Sequence, residues 1–153
     1  MDNCGFYEST IESELRECGV YASVTRGSSM RPLFKTNRDV VILKRCDSDP
    51  GKYDVVLYKD GKGKYILHRI IRVLPEEFII RGDNTFVNER VAKQGIIAVL
   101  TEFNRKGKKH SVTDTGYRLY ARVWNFIYPI RFLFHTAYRL AHKVYRALFK
   151  RNK

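Results

Sequence analysis

The chain has 153 residues, of which 44% are hydrophobic, so it is long enough for one domain with a buried core and a short extension. Its formal net charge is +13, and the placement of this charge along the chain is more informative than its size. The three cysteines, Cys4, Cys18 and Cys46, are odd in number and widely spaced, which argues against a disulfide framework and against a zinc site. We therefore expect no metal and no cofactor.

The positive charge is concentrated toward the C-terminus. Residues 117–153 contain nine Lys or Arg and no Asp or Glu. The preceding residues keep only a modest excess of basic over acidic groups. This distribution predicts an ordinary domain followed by a strongly basic tail.

The N-terminal stretch predicts one short helix. In residues 9–18 (STIESELREC), Ser9 or Thr10 can cap the helix, acidic residues occupy its first turn and Gly19 can end it. We place this N-terminal helix at 1–19. The first 20 residues have no apolar core, so no signal peptide is expected.

From residue 20 onward the pattern becomes that of short β-strands. Runs rich in Val, Ile, Tyr and Phe are separated by turn-forming groups, and these runs are VYASV, DVVILKR, DVVLYKD, KYILHRIIRV, EFIIRG and GIIAVLTEF. The stretch YKDGKGKY is typical of a hairpin connection. Residues 20–113 therefore predict a mainly β domain, a coiled antiparallel sheet.

After Gly116 the spacing of apolar and basic residues becomes helical. Pro129 is expected to break or kink this segment, so residues 117–153 predict a basic amphipathic tail of two helices. No window of 18 apolar residues exists, since arginines interrupt the one candidate region. We therefore expect no transmembrane span.

Three motifs in the β domain carry side chains that can take part in catalysis. In GSSM (27–30), a glycine-containing turn can present a serine hydroxyl together with a backbone N–H for an oxyanion. His68 lies inside a strand in LHRI, and Asp83 ends a strand in RGDN. These are the three groups of an acyl-transfer site, the nucleophile, the base and the residue that orients it. Each also has a plain structural interpretation, because Ser and Asp favour turns and a strand histidine is often structural.

The motifs, in this order and strand context, resemble the signal peptidase I-like serine peptidases, a superfamily that also contains the LexA-type self-cleaving peptidases. The resemblance covers residues 20–104 through the stretches GSSMRPLF, DVVIL, YDVVLY, YILHRII and FIIRGDN. It implies that Ser29, directly before Met30, is the nucleophile. It also implies that His68 replaces the usual lysine base, as in the endoplasmic-reticulum type of signal peptidase, and that Asp83 assists this base.

The resemblance further assigns an oxyanion and substrate loop and a support turn, formed by Gly27, Ser28, Met30 and Pro32 and by Gly82 and Asn84. Gly27 stands where classical signal peptidases have a serine, so the oxyanion hole is expected to depend on backbone N–H groups, including that of Ser29. The second acid of the endoplasmic-reticulum type has no clear match, and Glu89 is the nearest candidate. An N-terminal membrane anchor is not expected.

The predicted function is that of a serine endopeptidase that cleaves leader or signal-like peptides at a membrane surface. The resemblance implies a substrate with small residues before the cut, laid as an extended strand on a sheet edge. The alternative is a binding protein rather than an enzyme, namely a catalytically inactive β domain that acts as a binding module tethered to membrane or nucleic acid. A self-cleaving regulator is disfavoured, because 19 residues before the first strand are too few for a DNA-binding unit and a cleavable linker.

The basic tail has three interpretations, namely binding to an anionic membrane surface, binding to nucleic acid and packing on the β domain. Basic residues interleaved with large aromatic residues favour the membrane surface. We therefore expect a cytoplasmic protein that is peripheral at the membrane. The candidate membrane-binding residues are Arg118, Arg122, Trp124, Phe126, Arg131, Phe134, Arg139, Lys143, Arg146 and Lys150.

Overall fold

Eight strands and three α-helices form the part of the chain that the structure, a computed structural model, describes, which is residues 11–46 and 48–149. The N-terminal half contains α1 (Ile11–Cys18), β1 (Val20–Val24), β2 (Val40–Arg45), β3 (Val55–Lys59) and β4 (Tyr65–Val73). It is followed by β5 (Glu77–Arg81), β6 (Glu89–Ala92), β7 (Ile96–Arg105), β8 (Lys108–Ser111), α2 (Thr115–Phe126) and α3 (Tyr128–Phe149).

All eight strands belong to one antiparallel sheet. The strand order is β1-β2-β7-β3-β4-β5-β6, and β8 pairs with the end of β7. In the middle of the sheet, Val56 of β3 lies opposite His68 of β4 on one side and opposite Val99 of β7 on the other. The prediction of a mainly β, antiparallel architecture is thereby confirmed.

Two strands, β6 and β8, were not predicted from the sequence. Their sequences, ERVA and KKHS, have no alternation of large apolar residues. Strand β6 is held by backbone pairing with β5, and β8 by backbone pairing with the end of β7. Burial of their side chains contributes less. The pattern of apolar residues therefore does not predict a strand at these positions.

The N-terminal helix packs on the sheet through Leu15, which is buried. Gly19 ends the helix with a φ of +70°, which is favourable for glycine, and its N–H donates to the Leu15 carbonyl at 3.1 Å. The predicted caps, Ser9 and Thr10, lie outside the described residues.

The core occupies both faces of the central strand β3. Val55 and Leu57 point into a larger cluster that includes Leu15, Met30 and Phe34. Val56 and Tyr58 point into a smaller cluster on the opposite face. Because β3 is buried on both faces, it gives the neighbouring strand β4 a fixed support.

The C-terminal segment forms two helices, as predicted from Pro129. Helix α2 ends at Phe126, and Pro129 lies in the first turn of α3, where its missing N–H leaves no hydrogen bond unmade. Helix α2 begins at Thr115, slightly before the predicted start, and buries Ala121. Within the described residues, no helix has the length and apolar character needed to cross a membrane.

Candidate active site

The loop between β1 and β2 presents Ser29. Gly27 has a φ of +81°, a conformation that favours glycine, and its carbonyl accepts a hydrogen bond from the Thr36 hydroxyl. Met30 is buried in the larger core cluster, while Ser29 is half-buried and Ser28 is exposed. The loop is therefore anchored by its apolar residues on one side of Ser29 and bent by glycine on the other.

Asp39, at the end of this loop, holds its two sides together. Its carboxylate is buried and accepts hydrogen bonds from the Lys35 N–H at 2.7 Å and from the Arg38 guanidinium at 2.7 and 2.8 Å. The Thr25 hydroxyl donates to the Asp39 carbonyl at 3.1 Å. The hydrogen bond from Arg38 outweighs burial and lowers the pKa of Asp39 to about 2. Asp39 therefore stays ionised and keeps the loop closed at neutral pH.

His68 lies on β4 and is buried, with its Nδ1 directed at two oxygen atoms. The Tyr58 hydroxyl and Glu89 Oε1 are each 3.2 Å from Nδ1, and the Tyr58 hydroxyl donates to Glu89 Oε2 at 2.6 Å. Burial, and then the hydrogen bond to Glu89, raise the pKa of Tyr58, so its hydroxyl stays protonated. Two acceptors at Nδ1 favour the tautomer with its proton there, which leaves the Nε2 lone pair free to accept a proton.

Ser29 and His68 converge on the bare face of Gly82. A Cβ atom placed on Gly82 would lie 2.9 Å from His68 Nε2 and 3.0 Å from Ser29 Cβ. The Ser29 side chain and His68 Nε2 therefore border the same small space above Gly82. The same Cβ would lie 2.7 Å from the Ser29 carbonyl oxygen. Glycine is therefore required here for space.

The turn after β5 binds the nucleophile loop directly. The Asn84 N–H donates to the Ser29 carbonyl at 2.7 Å, and its side-chain amide donates to the Ser28 carbonyl at 3.3 Å. Thr85 closes the turn by donating to the Gly82 carbonyl at 3.1 Å. The predicted support turn of Gly82 and Asn84 thus contacts the loop that carries Ser29.

Asp83 differs from its predicted role as the partner of the imidazole. Its two carboxylate oxygens accept hydrogen bonds from Arg69 Nε and Nη2, each at 2.8 Å, and the Tyr120 hydroxyl donates to it at 3.0 Å. Consecutive residues of a strand point to opposite faces, so a carboxylate paired with Arg69 lies on the face away from His68. Glu89 occupies the position at Nδ1 that the sequence assigned to Asp83.

The pairing of Arg69 with Asp83 is fully buried. Burial alone would lower the pKa of Arg69, but the charge and hydrogen bonds of Asp83 outweigh it, so the pKa is raised. Arg69 also donates to the Tyr53 carbonyl at 2.9 Å and to the Tyr117 hydroxyl at 3.1 Å. This ion pair therefore joins β4, the turn after β5 and helix α2.

Helices α2 and α3 bind the turn after β5 through the backbone carbonyl of Asp83. The Trp124 indole N–H donates to the Asp83 carbonyl at 2.9 Å, and Arg131 donates to that carbonyl at 2.8 Å while lying 3.8 Å from the Trp124 ring centroid. These two residues were predicted to bind membrane. The structure instead directs them inward, where both donate hydrogen bonds to the carbonyl of the buried Asp83.

The remaining membrane-binding candidates lie elsewhere on the helices. Lys150 is outside the described residues. The exposed ones are Arg118, Arg122, Phe126, Phe134, Arg139, Lys143 and Arg146. The interpretation of the tail as packed on the β domain thus fits the inner side of α2 and the start of α3, while the outer side is open.

A cleft of about 720 Å³ lies in front of Ser29 and His68. One wall is β1, for which the structure shows pairing only with β2 in the described chain. The other wall is the start of β4, where residues 65–68 pair with β3, since pairing with β5 begins at Arg69. Phe34, Leu43 and Leu57 contribute an apolar lining. Two strand edges with open backbone groups thus face each other across an apolar cleft.

The sequence identified Ser29, His68, Gly82 and Asn84 as neighbours, and the structure brings them together. The sequence did not point to Tyr58, because a tyrosine in an alternating strand looks like an ordinary core residue. It pointed to Glu89 only as the nearest candidate for the second acid of the endoplasmic-reticulum type. Searches of the chain against protein-family models and against curated proteins find no match.

Proposed function

We propose that the protein is a serine endopeptidase in which Ser29 is the nucleophile, His68 is the general base, and Glu89 and Tyr58 are positioning residues for the imidazole. The observation that carries this proposal is the convergence of Ser29 and His68 Nε2 on Gly82. The acceptors at Nδ1 support it, because they favour the tautomer that a base needs. The resemblance of the motifs to signal peptidase I-like enzymes supports the roles of Ser29 and His68, while the contacts at Nδ1 favour Glu89 and Tyr58 over Asp83.

The proposed reaction has two halves. The Ser29 hydroxyl attacks the scissile carbonyl, and its proton passes to His68 Nε2 while Glu89 stabilises the imidazolium. The backbone N–H of Ser29 binds the oxyanion. His68 then gives the proton to the leaving amine, which leaves an acyl group on Ser29. A water molecule, deprotonated by His68, attacks this ester, and the regained proton returns to Ser29 as the acid product leaves.

The proposed substrate is an extended peptide that pairs with the edges of β1 and the start of β4. Such strand addition uses backbone hydrogen bonds for affinity and side-chain pockets for selectivity. The apolar lining from Phe34, Leu43 and Leu57 favours uncharged residues in the cleft. By resemblance, these are leader or signal-like segments with small residues before the cut.

Glu89→Gln is expected to lower kcat on the order of 10²-fold, because the imidazolium loses its charged partner. The effect is smaller than for a fully buried orienting acid, since the Glu89 side chain is 38% exposed and Tyr58 remains. Burial lowers the pKa of His68 below 6.5, and the charge of Glu89 acts against this. Without Glu89 the pKa falls further, so the acid limb of the pH–kcat/KM profile moves to lower pH.

The control for this variant is Glu76→Gln, an exposed glutamate in the turn between β4 and β5. It should leave kcat and the pH profile unchanged. An acid limb that stayed in place in Glu89→Gln would show that Glu89 does not act on the base.

The test of the proposed function uses a serine-reactive fluorophosphonate, which bonds to an activated serine oxygen and releases fluoride. After peptide mapping by mass spectrometry, the label is expected on Ser29 in the wild type and in Ser48→Ala, an exposed serine distant in sequence from the site. Ser29→Ala and His68→Ala should not be labelled and should not cleave peptides. If the wild type bound extended peptides but was neither labelled nor active, the binding-module alternative would replace the proposal.

A further inference from the structure

A continuous apolar face runs along α2 and α3 and is named here the outer face. Its positions alternate between spacings of four and three residues, and they are Leu119, Val123, Phe126, Ile130, Leu133, Ala137, Leu140 and Val144. Phe134 widens it beside Leu133. The stripe continues across the break between the two helices. Its large side chains are open to solvent, with Phe126 83%, Phe134 72% and Leu133 69% exposed.

The opposite side of α2 and of the start of α3 is occupied by the β domain. Tyr120 and Trp124 of α2 donate to Asp83, and His135 of α3 stacks on Phe86 with ring centroids 4.1 Å apart. From Thr136 to Arg146 every residue is exposed. Along α2 and the start of α3 the outer face therefore points away from the sheet, and its large side chains stay exposed in the described residues.

The charges beside the outer face are all of one sign. Arg118 and Arg122 on α2, and Arg139, Lys143 and Arg146 on α3, are exposed, and residues 115–153 contain no Asp or Glu. A heptad-like spacing can also suit a helical dimer, but such a dimer gains from opposite charges at its flanks. A second copy would bring only like charges together, so this occupant is disfavoured.

Nucleic acid fits the charge but not the apolar side chains. Phosphate contacts use Arg and Lys, and bases stack on isolated aromatic residues, whereas the outer face is dominated by aliphatic and Phe side chains. An anionic bilayer satisfies both requirements. Its headgroup region accepts the apolar stripe, and its negative surface attracts the basic residues.

We propose that the outer face docks on an anionic lipid bilayer, with α2 and α3 lying in the plane of the headgroups. This proposal does not depend on the peptidase activity. If both hold, the helices that bind the bilayer are also those that hold the Asp83 turn beside Ser29 and His68. Docking then holds the cleft at the surface of the same membrane.

The test is co-sedimentation of the full chain with vesicles of phosphatidylcholine alone or mixed with phosphatidylglycerol. The wild type is expected to bind the mixed vesicles at least about tenfold more strongly, with weaker binding at high salt. Leu133→Glu combined with Leu140→Glu should lower binding to the mixed vesicles at least about tenfold with an unchanged Tm, since both side chains are exposed. Ser29→Ala should bind like the wild type.

The control is Val73→Glu, which places one glutamate at an exposed valine at the end of β4, outside α2 and α3. It should bind within about twofold of the wild type. Equal binding by the double variant, or equal binding to neutral vesicles, would overturn the proposal. A wild-type chain that formed a dimer in solution, lost in the double variant, would also overturn it and assign the outer face to a second copy.

Discussion

Gly82→Ala is expected to lower kcat/KM for peptide cleavage at least about 10²-fold while the chain remains folded, because displacing reacting groups by about an ångström has an effect of that size. The added Cβ would lie 2.7 Å from a backbone oxygen of Ser29 and 2.9 Å from His68 Nε2. Neither neighbour can yield without moving the nucleophile or the base. Steady-state kinetics on a peptide substrate, together with a thermal melt, measures both effects.

The control is Gly61→Ala in the turn between β3 and β4. A Cβ there meets nothing within 4 Å, and Gly61 does not have a positive φ. This variant should keep the wild-type kcat/KM. Wild-type activity in Gly82→Ala would mean that the reacting groups do not meet at this glycine.

Arg69→Met is expected to lower the free energy of unfolding by about 3–5 kcal/mol, because it leaves the Asp83 carboxylate buried without its charged partner. Arg69 is fully buried, and its ion pair joins β4, the turn after β5 and α2. Arg69→Met combined with Asp83→Leu should recover a large part of this loss, since an apolar pair needs no compensating charge. Urea unfolding monitored by circular dichroism measures these values.

The matched control is Arg90→Met, which removes an arginine whose side chain is 74% exposed and paired with Glu77. Exposed pairs contribute about 1 kcal/mol or less, so this variant should unfold nearly like the wild type. If Arg69→Met and Arg90→Met were equally stable, the buried pair would not hold the turn that supports Ser29.

Most of the sheet could be predicted from the sequence, because its six longer strands carry runs of β-branched and aromatic residues that end at turn-forming groups. The edge strand β6 could not, since ERVA is held by backbone pairing with β5. The helical tail and its break near Pro129 could also be predicted from the change of period. Which side of each helix faces the sheet depends on tertiary contacts, and this explains why Trp124 and Arg131 were assigned to the membrane.

The proximity of Ser29 and His68 could be predicted from the resemblance of their motifs, but the residues that contact the imidazole could not. Asp83 lies in a turn that looks suited to orient His68, yet Arg69, the next residue along β4, binds its carboxylate on the opposite face. Glu89 reaches His68 only because β6 pairs with β5 and brings it beside Tyr58. A contact that depends on a strand without an apolar pattern cannot be read from residue types alone.

Chemical rescue of His68→Ala tests whether His68 acts as the base for Ser29. The imidazole side chain borders the cleft, so its removal leaves space that free imidazole can enter. We expect imidazole to restore peptide cleavage in His68→Ala, increasingly as pH rises and the neutral form accumulates, and to restore none in Ser29→Ala. Cleavage by His68→Ala at the wild-type rate without imidazole would contradict this role of His68.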